Sequence, residues 1–207
     1  FLNGLRQMEA ESLQDFFRWG VTETCLALTM FRHELTISVT LQFVILILFK
    51  CLHHVAAQRE QHLRLTEEAV YETFPYLKLG HARIVVFLVF LQFLDIIVLQ
   101  YEIAESLKTG PTVRILFAFE AAIMLLSAWS HILLWNLHLL DSAISVGHDQ
   151  GYAVTRKVYH VWKEYKATMI FAVELQSHAV QFMFYSTFFA IVLTYYGMPI
   201  NLFREVY

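Results

Sequence analysis

Four runs of the sequence stay apolar for long enough to cross a lipid bilayer, and this constrains the fold more than any other feature. A membrane-spanning helix needs about 20 predominantly apolar residues. Runs of that length lie at residues 37–58, 82–104, 112–139 and 166–196. We expect a fifth, shorter span at residues 16–32, interrupted by Arg18 and Glu23, and a partial span from residue 200. The sequence therefore predicts an all-α, polytopic transmembrane helix bundle with about five complete spans.

Composition excludes several other classes of protein. The chain is 57% hydrophobic and 16% charged, whereas a soluble domain has about 45–50% apolar and about 25% charged residues. The net charge of −3 gives no basic surface for nucleic acid. Two cysteines cannot build a disulfide framework or a cysteine-rich zinc domain. We interpret residues 1–15 as a cytosolic or interfacial helix and residues 16–207 as one membrane domain.

Basic residues are distributed unequally between the two sides of the predicted bundle. Eleven of the 15 Lys and Arg residues lie on or near the side that carries the N-terminal segment and the predicted loops 58–83 and 140–166. The other four are Arg32, Lys108, Arg114 and Arg204. Because cytoplasmic loops are enriched in Lys and Arg, the N-terminal side is predicted to be cytosolic.

Polar side chains form stripes on three of the predicted spans. A charge at the bilayer centre costs about 2.5–3.5 kcal/mol on insertion scales, so it usually faces protein or water. Helical spacing groups Gln92 with Asp95, Glu120 with Ser127 and His131, and Glu174 with His178 and Gln181. Glu23 and Lys50 are further intramembrane charges. The stripes predict a shared hydrated groove, and bonding between helices is the alternative.

The residues give little support for haem binding, small-molecule transport or catalysis. His53, His54, His131 and His138 lie toward the cytosolic ends of two spans, so a b-type haem held by facing imidazoles is an alternative reading. A small-molecule transporter is another, although the spans are not broken by Gly or Pro. No nucleotide-binding, zinc-protease or nucleophile-elbow motif is present. We therefore predict no catalytic residue and no metal site in this chain.

Several strings resemble the membrane domain of the synoviolin family of endoplasmic reticulum ubiquitin ligases. They are VTETCLALTMFR (21–32), LFKCLHHVAAQR (48–59), HARIV (81–85), FLD (93–95), ILFAFEAAIM (115–124) and KATMIFAVEL (166–175). Glu23, Lys50, Asp95, Glu120 and Glu174 fall on polar positions of the family pattern. The chain departs from that pattern at His54, where the family has tryptophan, at His178, and in the predicted loop 141–163.

The resemblance implies an eight-span protein of the endoplasmic reticulum membrane with both ends in the cytosol. These 207 residues would supply its third to seventh spans and the start of the eighth. The family's catalytic RING domain holds two zinc ions on eight Cys and His ligands. It is absent from this chain, so the resemblance implies a ubiquitin transferase whose catalytic centre lies elsewhere in the full-length protein.

The implied function is the degradation of misfolded endoplasmic reticulum proteins, which would leave the membrane through a polar groove. The implied partners are a derlin-type membrane protein, a luminal substrate-recruiting repeat protein, misfolded polypeptides, a ubiquitin-conjugating enzyme that meets the RING, and a cytosolic AAA ATPase. The resemblance also allows a homodimer. A related ligase of the autocrine motility factor receptor type is the alternative within the same class.

Overall fold

Helices account for nearly all of the protein that the computed structural model describes, which is residues 7–68, 79–110, 112–149 and 153–196. They are α1 (Gln7–Met30), α2 (Ile37–Glu68), α3 (Leu79–Thr109), α4 (Val113–Asp149) and α5 (Ala153–Tyr196), with a 3₁₀ turn at Arg32–Glu34. These ranges contain no strand. The predicted all-α class is confirmed.

Four of these helices are long and apolar enough to cross a membrane. Within the described residues they are Ile37–His62, Arg83–Thr109, Val113–His148 and Val158–Thr194, which belong to α2, α3, α4 and α5. α1 is not in this set, since Asp15, Arg18 and Glu23 fall in every 18-residue stretch of it. The structure therefore supports four spans, and the fifth, at residues 16–32, stays a prediction.

α4 is the central helix of the bundle. It packs against α2, α3 and α5, while α1 packs against α2. Two apolar clusters hold these helices together. One, at the end where α4 begins, contains Phe31, Phe43, Leu46, Val113, Leu116, Phe117, Met124 and Val192; the other contains Ala56, Leu88 and Leu91. Between the clusters α2 carries Lys50 and His53, so a polar layer interrupts the core.

A side chain from the α1–α2 link holds the start of α4. The Val113 backbone N–H donates to Glu34 Oε2 at 2.7 Å. The first N–H groups of a helix have no partner within the helix and favour a negative charge. Gly110, with φ of 86°, makes the preceding turn from α3, a conformation that suits glycine. Glu34 and Gly110 thus fix where α4 begins.

The described parts of the predicted loops 58–83 and 140–166, which are residues 58–68, 79–83, 140–149 and 153–166, are helical rather than loop. α2 continues to Glu68, α4 continues to Asp149, and α5 already begins at Ala153. The two extensions are joined because Asp141 accepts hydrogen bonds from Trp162 Nε1 at 2.8 Å and from Lys166 Nζ at 2.7 Å. The rings of His148 and Tyr159 stack nearer the tip, with centroids 4.2 Å apart.

The predicted boundary at residue 15 is not a break in the backbone. α1 runs continuously from Gln7 to Met30, so residues 7–15 of the predicted N-terminal helix and the start of the first predicted span are one element. The predicted partial span from residue 200 lies outside the described residues.

Asp141→Ala should open the α4–α5 extension. Bonds to charged groups contribute about 1.5–3 kcal/mol each, and about 1.4 kcal/mol corresponds to a factor of ten in an equilibrium. We expect trypsin to cleave after Lys163 about tenfold faster in the variant, measured by mass spectrometry of the purified full-length protein. Glu164→Ala changes an exposed neighbour and serves as the control. Equal cleavage of Asp141→Ala and wild type would contradict the clamp.

Candidate functional site: a polar cavity between four helices

A cavity of about 350 Å³ lies between α1, α2, α4 and α5 and is partly open to its surroundings. α1 contributes Phe16 and Trp19 to its lining. The polar lining comes mainly from the other three helices: Lys50, His53 and His54 from α2, Glu120, Ser127 and His131 from α4, and Gln181 and Tyr185 from α5. Such a concentration of polar groups at the depth of apolar spans makes this cavity the candidate site.

The Lys50–Glu120 ion pair lies in the wall of this cavity. Lys50 Nζ and Glu120 Oε1 are 2.9 Å apart, and the side chains are 12% and 13% exposed. Lys50 lies near the middle of the candidate span Ile37–His62. A charge there is tolerated when it is paired or faces water, and Lys50 and Glu120 pair with each other. The pair also links α2 to α4 at a fixed register.

A second pair, His53–Asp95, links α2 to α3. His53 Nε2 and Asp95 Oδ2 are 2.9 Å apart, with the side chains 9% and 1% exposed. The two groups are close, but they are not aligned as a hydrogen bond, and both carboxylate oxygens lack a hydrogen-bond partner among the described residues. His53 lines the polar cavity, whereas Asp95 lines a separate cavity between α2, α3 and α4.

Further polar contacts join α2 to α4 and α2 to α1. They lie nearer to the second of the two apolar clusters. His131 Nδ1 lies 3.0 Å from Glu60 Oε2, whose side chain is fully buried. The ring of His54 stacks on Phe16, with centroids 4.2 Å apart. Ser12 Oγ lies 3.2 Å from His54 Nε2 and accepts a hydrogen bond from the Gln58 side-chain amide. In addition, Arg59 donates to Glu9 Oε2 at 3.2 Å. These contacts set the position of α1 beside α2.

The structure brings together four of the eight residues predicted from the stripes. Glu120, Ser127, His131 and Gln181 line the polar cavity, together with Lys50. The other four lie elsewhere: Asp95 in the separate cavity, Gln92 half-buried on α3 outside the cavities described, and Glu174 and His178 exposed on α5. The side chain of Glu23 is outside what the structure describes.

The sequence does not predict that Glu60 lies on the polar face of α2 or that His53 pairs with Asp95. The loss of hydropathy predicts an end of α2 near residue 58, which places Glu60 in a loop. Lys50, His53 and Glu60 are spaced by three and seven residues, which places them on one face of a helix. This spacing could have extended the polar stripe if the helix had been continued to Glu68.

The histidines considered as haem ligands have protein partners. His53 lies against Asp95, His131 against Glu60, and His54 against Ser12 and Phe16. Within the described residues, no three or more His, Cys, Asp and Glu side chains are grouped to hold a metal ion. The arrangement is that of a charged cavity wall, with each charge near an opposite or polar group.

A family model described as "E3 ubiquitin-protein ligase synoviolin-like, TPR repeats" matches residues 1–207. The chain belongs to this synoviolin-like family. The predicted resemblance is thereby confirmed, and the family is one of E3 ubiquitin ligases. The helices do not have the dimensions of TPR repeats, since a TPR helix pair takes about 34 residues and α4 alone has 37. In this family member the same stretch forms long apolar helices suited to a membrane.

Glu120→Leu should destabilise the bundle because it leaves Lys50 as an unpaired charge. Breaking a buried pair costs about 3–5 kcal/mol, whereas replacing both partners by apolar residues is often neutral or stabilising. We expect a large loss of thermal stability in Glu120→Leu and near-normal stability in the double variant Lys50→Leu/Glu120→Leu, measured by unfolding in detergent. Comparable destabilisation of single and double variants would show that the pair itself is not the cause.

Proposed function

We propose that this chain is the membrane-embedded part of an endoplasmic reticulum ubiquitin ligase, and that its polar cavity receives misfolded polypeptides on their way to the cytosol. The family match supports the ligase assignment at the level of the whole protein. The Lys50–Glu120 pair carries the proposal for the cavity, because it sets charge beside open space at the depth of an apolar span.

The cavity supplies hydrogen-bonding groups of the kind that a polypeptide needs while it crosses the membrane. A polypeptide backbone in hydrocarbon must find partners for its N–H and C=O groups, because none are available from lipid. Ser127, Gln181 and Tyr185 supply uncharged hydrogen-bonding groups beside the ion pair, and the cavity has room for water. An extended segment could therefore exchange its hydrogen bonds with water and with the wall as it crosses.

The position of the apolar cluster relative to the cavity supports a direction for this path. The apolar cluster around Phe31, Phe43 and Phe117 packs beyond Glu120 at the end where α4 begins. The rest of the lining on α4 lies further along the helix, as far as His131. With the N-terminal side of the chain in the cytosol, as the Lys and Arg distribution predicts, the cavity would open toward the cytosol and the cluster would seal the luminal side.

The remaining parts of the activity belong to other components. The transfer of ubiquitin needs a zinc-binding RING domain elsewhere in the full-length protein, since the two cysteines here lie in α1 and α2. We propose that a ubiquitin-conjugating enzyme meets that domain and that an AAA ATPase draws the substrate out. A derlin-type protein, a luminal recruiting protein and a second copy of the ligase are the proposed partners in and beside the membrane.

Thiol labelling tests whether the cavity is open to cytosolic water. With Cys25 and Cys51 replaced by alanine, Ser127→Cys should react with a membrane-impermeant maleimide added to the cytosolic face of sealed microsomes. The control Leu133→Cys places the thiol on the exposed face of α4, outside the described cavities, where lipid would shield it. Equal and slow labelling of both positions would contradict a hydrated cavity.

Removing the charges of the cavity without leaving one unpaired tests its role in transport. In the full-length ligase, Lys50→Leu/Glu120→Leu should slow the release of misfolded luminal proteins to the cytosol by several-fold, measured by pulse-chase. The exchanged variant Lys50→Glu/Glu120→Lys keeps both charges and should retain most of the activity. Normal release by a folded double-leucine variant would overturn the proposed role of the cavity.

A further inference from the structure

Asp95 is the most deeply buried acid whose carboxylate lacks a hydrogen bond among the described residues. The residue is 1% exposed, and neither Oδ1 nor Oδ2 has a hydrogen-bond partner there. The Nε2 atom of its ion-pair partner, His53, lies 2.9 Å from Oδ2. Even beside an ion-pair partner, a buried carboxylate whose oxygens accept no hydrogen bond is costly, so Asp95 calls for an explanation.

This carboxylate lines an apolar cavity of about 330 Å³ that is distinct from the polar cavity. The cavity lies between α2, α3 and α4, and its wall includes Leu46, Phe117 and Met124. Glu102 is a second acid in the wall, and it already has a partner, since Arg114 donates to it at 3.4 Å. Asp95 therefore is the acid in this wall that still has capacity to accept hydrogen bonds.

The lining of this cavity reaches the outer surface of the bundle at the level of the spans. Ile45 and Val98 line it and are 46% and 38% exposed, and both lie within candidate membrane spans. A ligand would thus enter from the bilayer rather than from water. Besides Asp95, the polar residues of the lining are Gln42, Tyr101 and Glu102, and the rest of the wall is apolar. A buried water needs about two to four polar partners, so most of this cavity suits an apolar occupant better than water.

We propose that this cavity binds the ammonium head of a lipophilic amine from the membrane, with its N–H groups donating to Asp95. A carboxylate prefers a cationic donor, because charge-assisted hydrogen bonds are roughly twice as strong as neutral ones. The hydrocarbon chain of the amine would lie against the apolar wall and continue through the opening between Ile45 and Val98 into lipid. The proposal does not depend on the transport role of the polar cavity.

A photoactivatable probe tests this site directly. The full-length ligase in lipid nanodiscs is incubated with diazirine-bearing sphingosine, an amine with a long chain, and with a diazirine-bearing fatty alcohol of equal length. We expect the amine to label peptides of α2 and α3 around the cavity, and unlabelled sphingosine to compete. Asp95→Asn, which keeps the size of the side chain and removes its charge, should reduce labelling about tenfold, equivalent to about 1.4 kcal/mol.

A variant that leaves Asp95 intact keeps the test decisive if Asp95→Asn does not fold. Val98→Trp fills the cavity and should abolish labelling there, while Val89→Trp, on an exposed part of α3 outside the described cavities, should not. Equal labelling by the fatty alcohol, or labelling unchanged in Val98→Trp, would overturn the proposal. Loss of labelling in Val89→Trp would do so as well, since it would indicate general contact with lipid.

Discussion

The need to compensate charge inside an apolar bundle determines how these helices meet. Lipid tails are as apolar as leucine, so apolar faces alone give membrane helices little preference for one register over another. Here the Lys50–Glu120 pair relates α2 to α4, and the His53–Asp95 pair relates α2 to α3. Sliding either helix by one turn would separate charges that are expensive to leave alone. The two apolar clusters then pack above and below a layer that the charges have already aligned.

α2 and α4 together form a wall between two different environments. On one side lies the polar cavity with Glu120 and His131; on the other lies the apolar cavity into which Asp95 faces. Met124 lines both, so the wall is only one side chain thick at that point. A change of rotamer at Met124 would alter both cavities at once, and methionine is the most adaptable apolar side chain for such a position.

The sequence could predict the spans but not their ends or their rotation. The apolar runs of α2, α3, α4 and α5 were identified from length alone, because crossing a bilayer requires them. The helical ends at Glu68, Asp149 and Ala153 were missed, since the loss of hydropathy marks the edge of the membrane and not the end of a helix. Helical spacing identifies which polar residues share one face of a helix. Packing decides which residues of the neighbouring helices they contact. For this reason Gln181 reaches the polar cavity while Glu174, on the same helix, is exposed.

The hydrogen bond from the first N–H of α4 to Glu34 couples the short α1–α2 link to α4. Phe31, which is 2% exposed, anchors the same link in the apolar cluster at the start of α4. A displacement of this link would therefore move the start of α4, a helix that lines both the polar cavity and the apolar cavity. A protein that binds this link from outside the membrane would therefore change the position of α4 without entering the bundle.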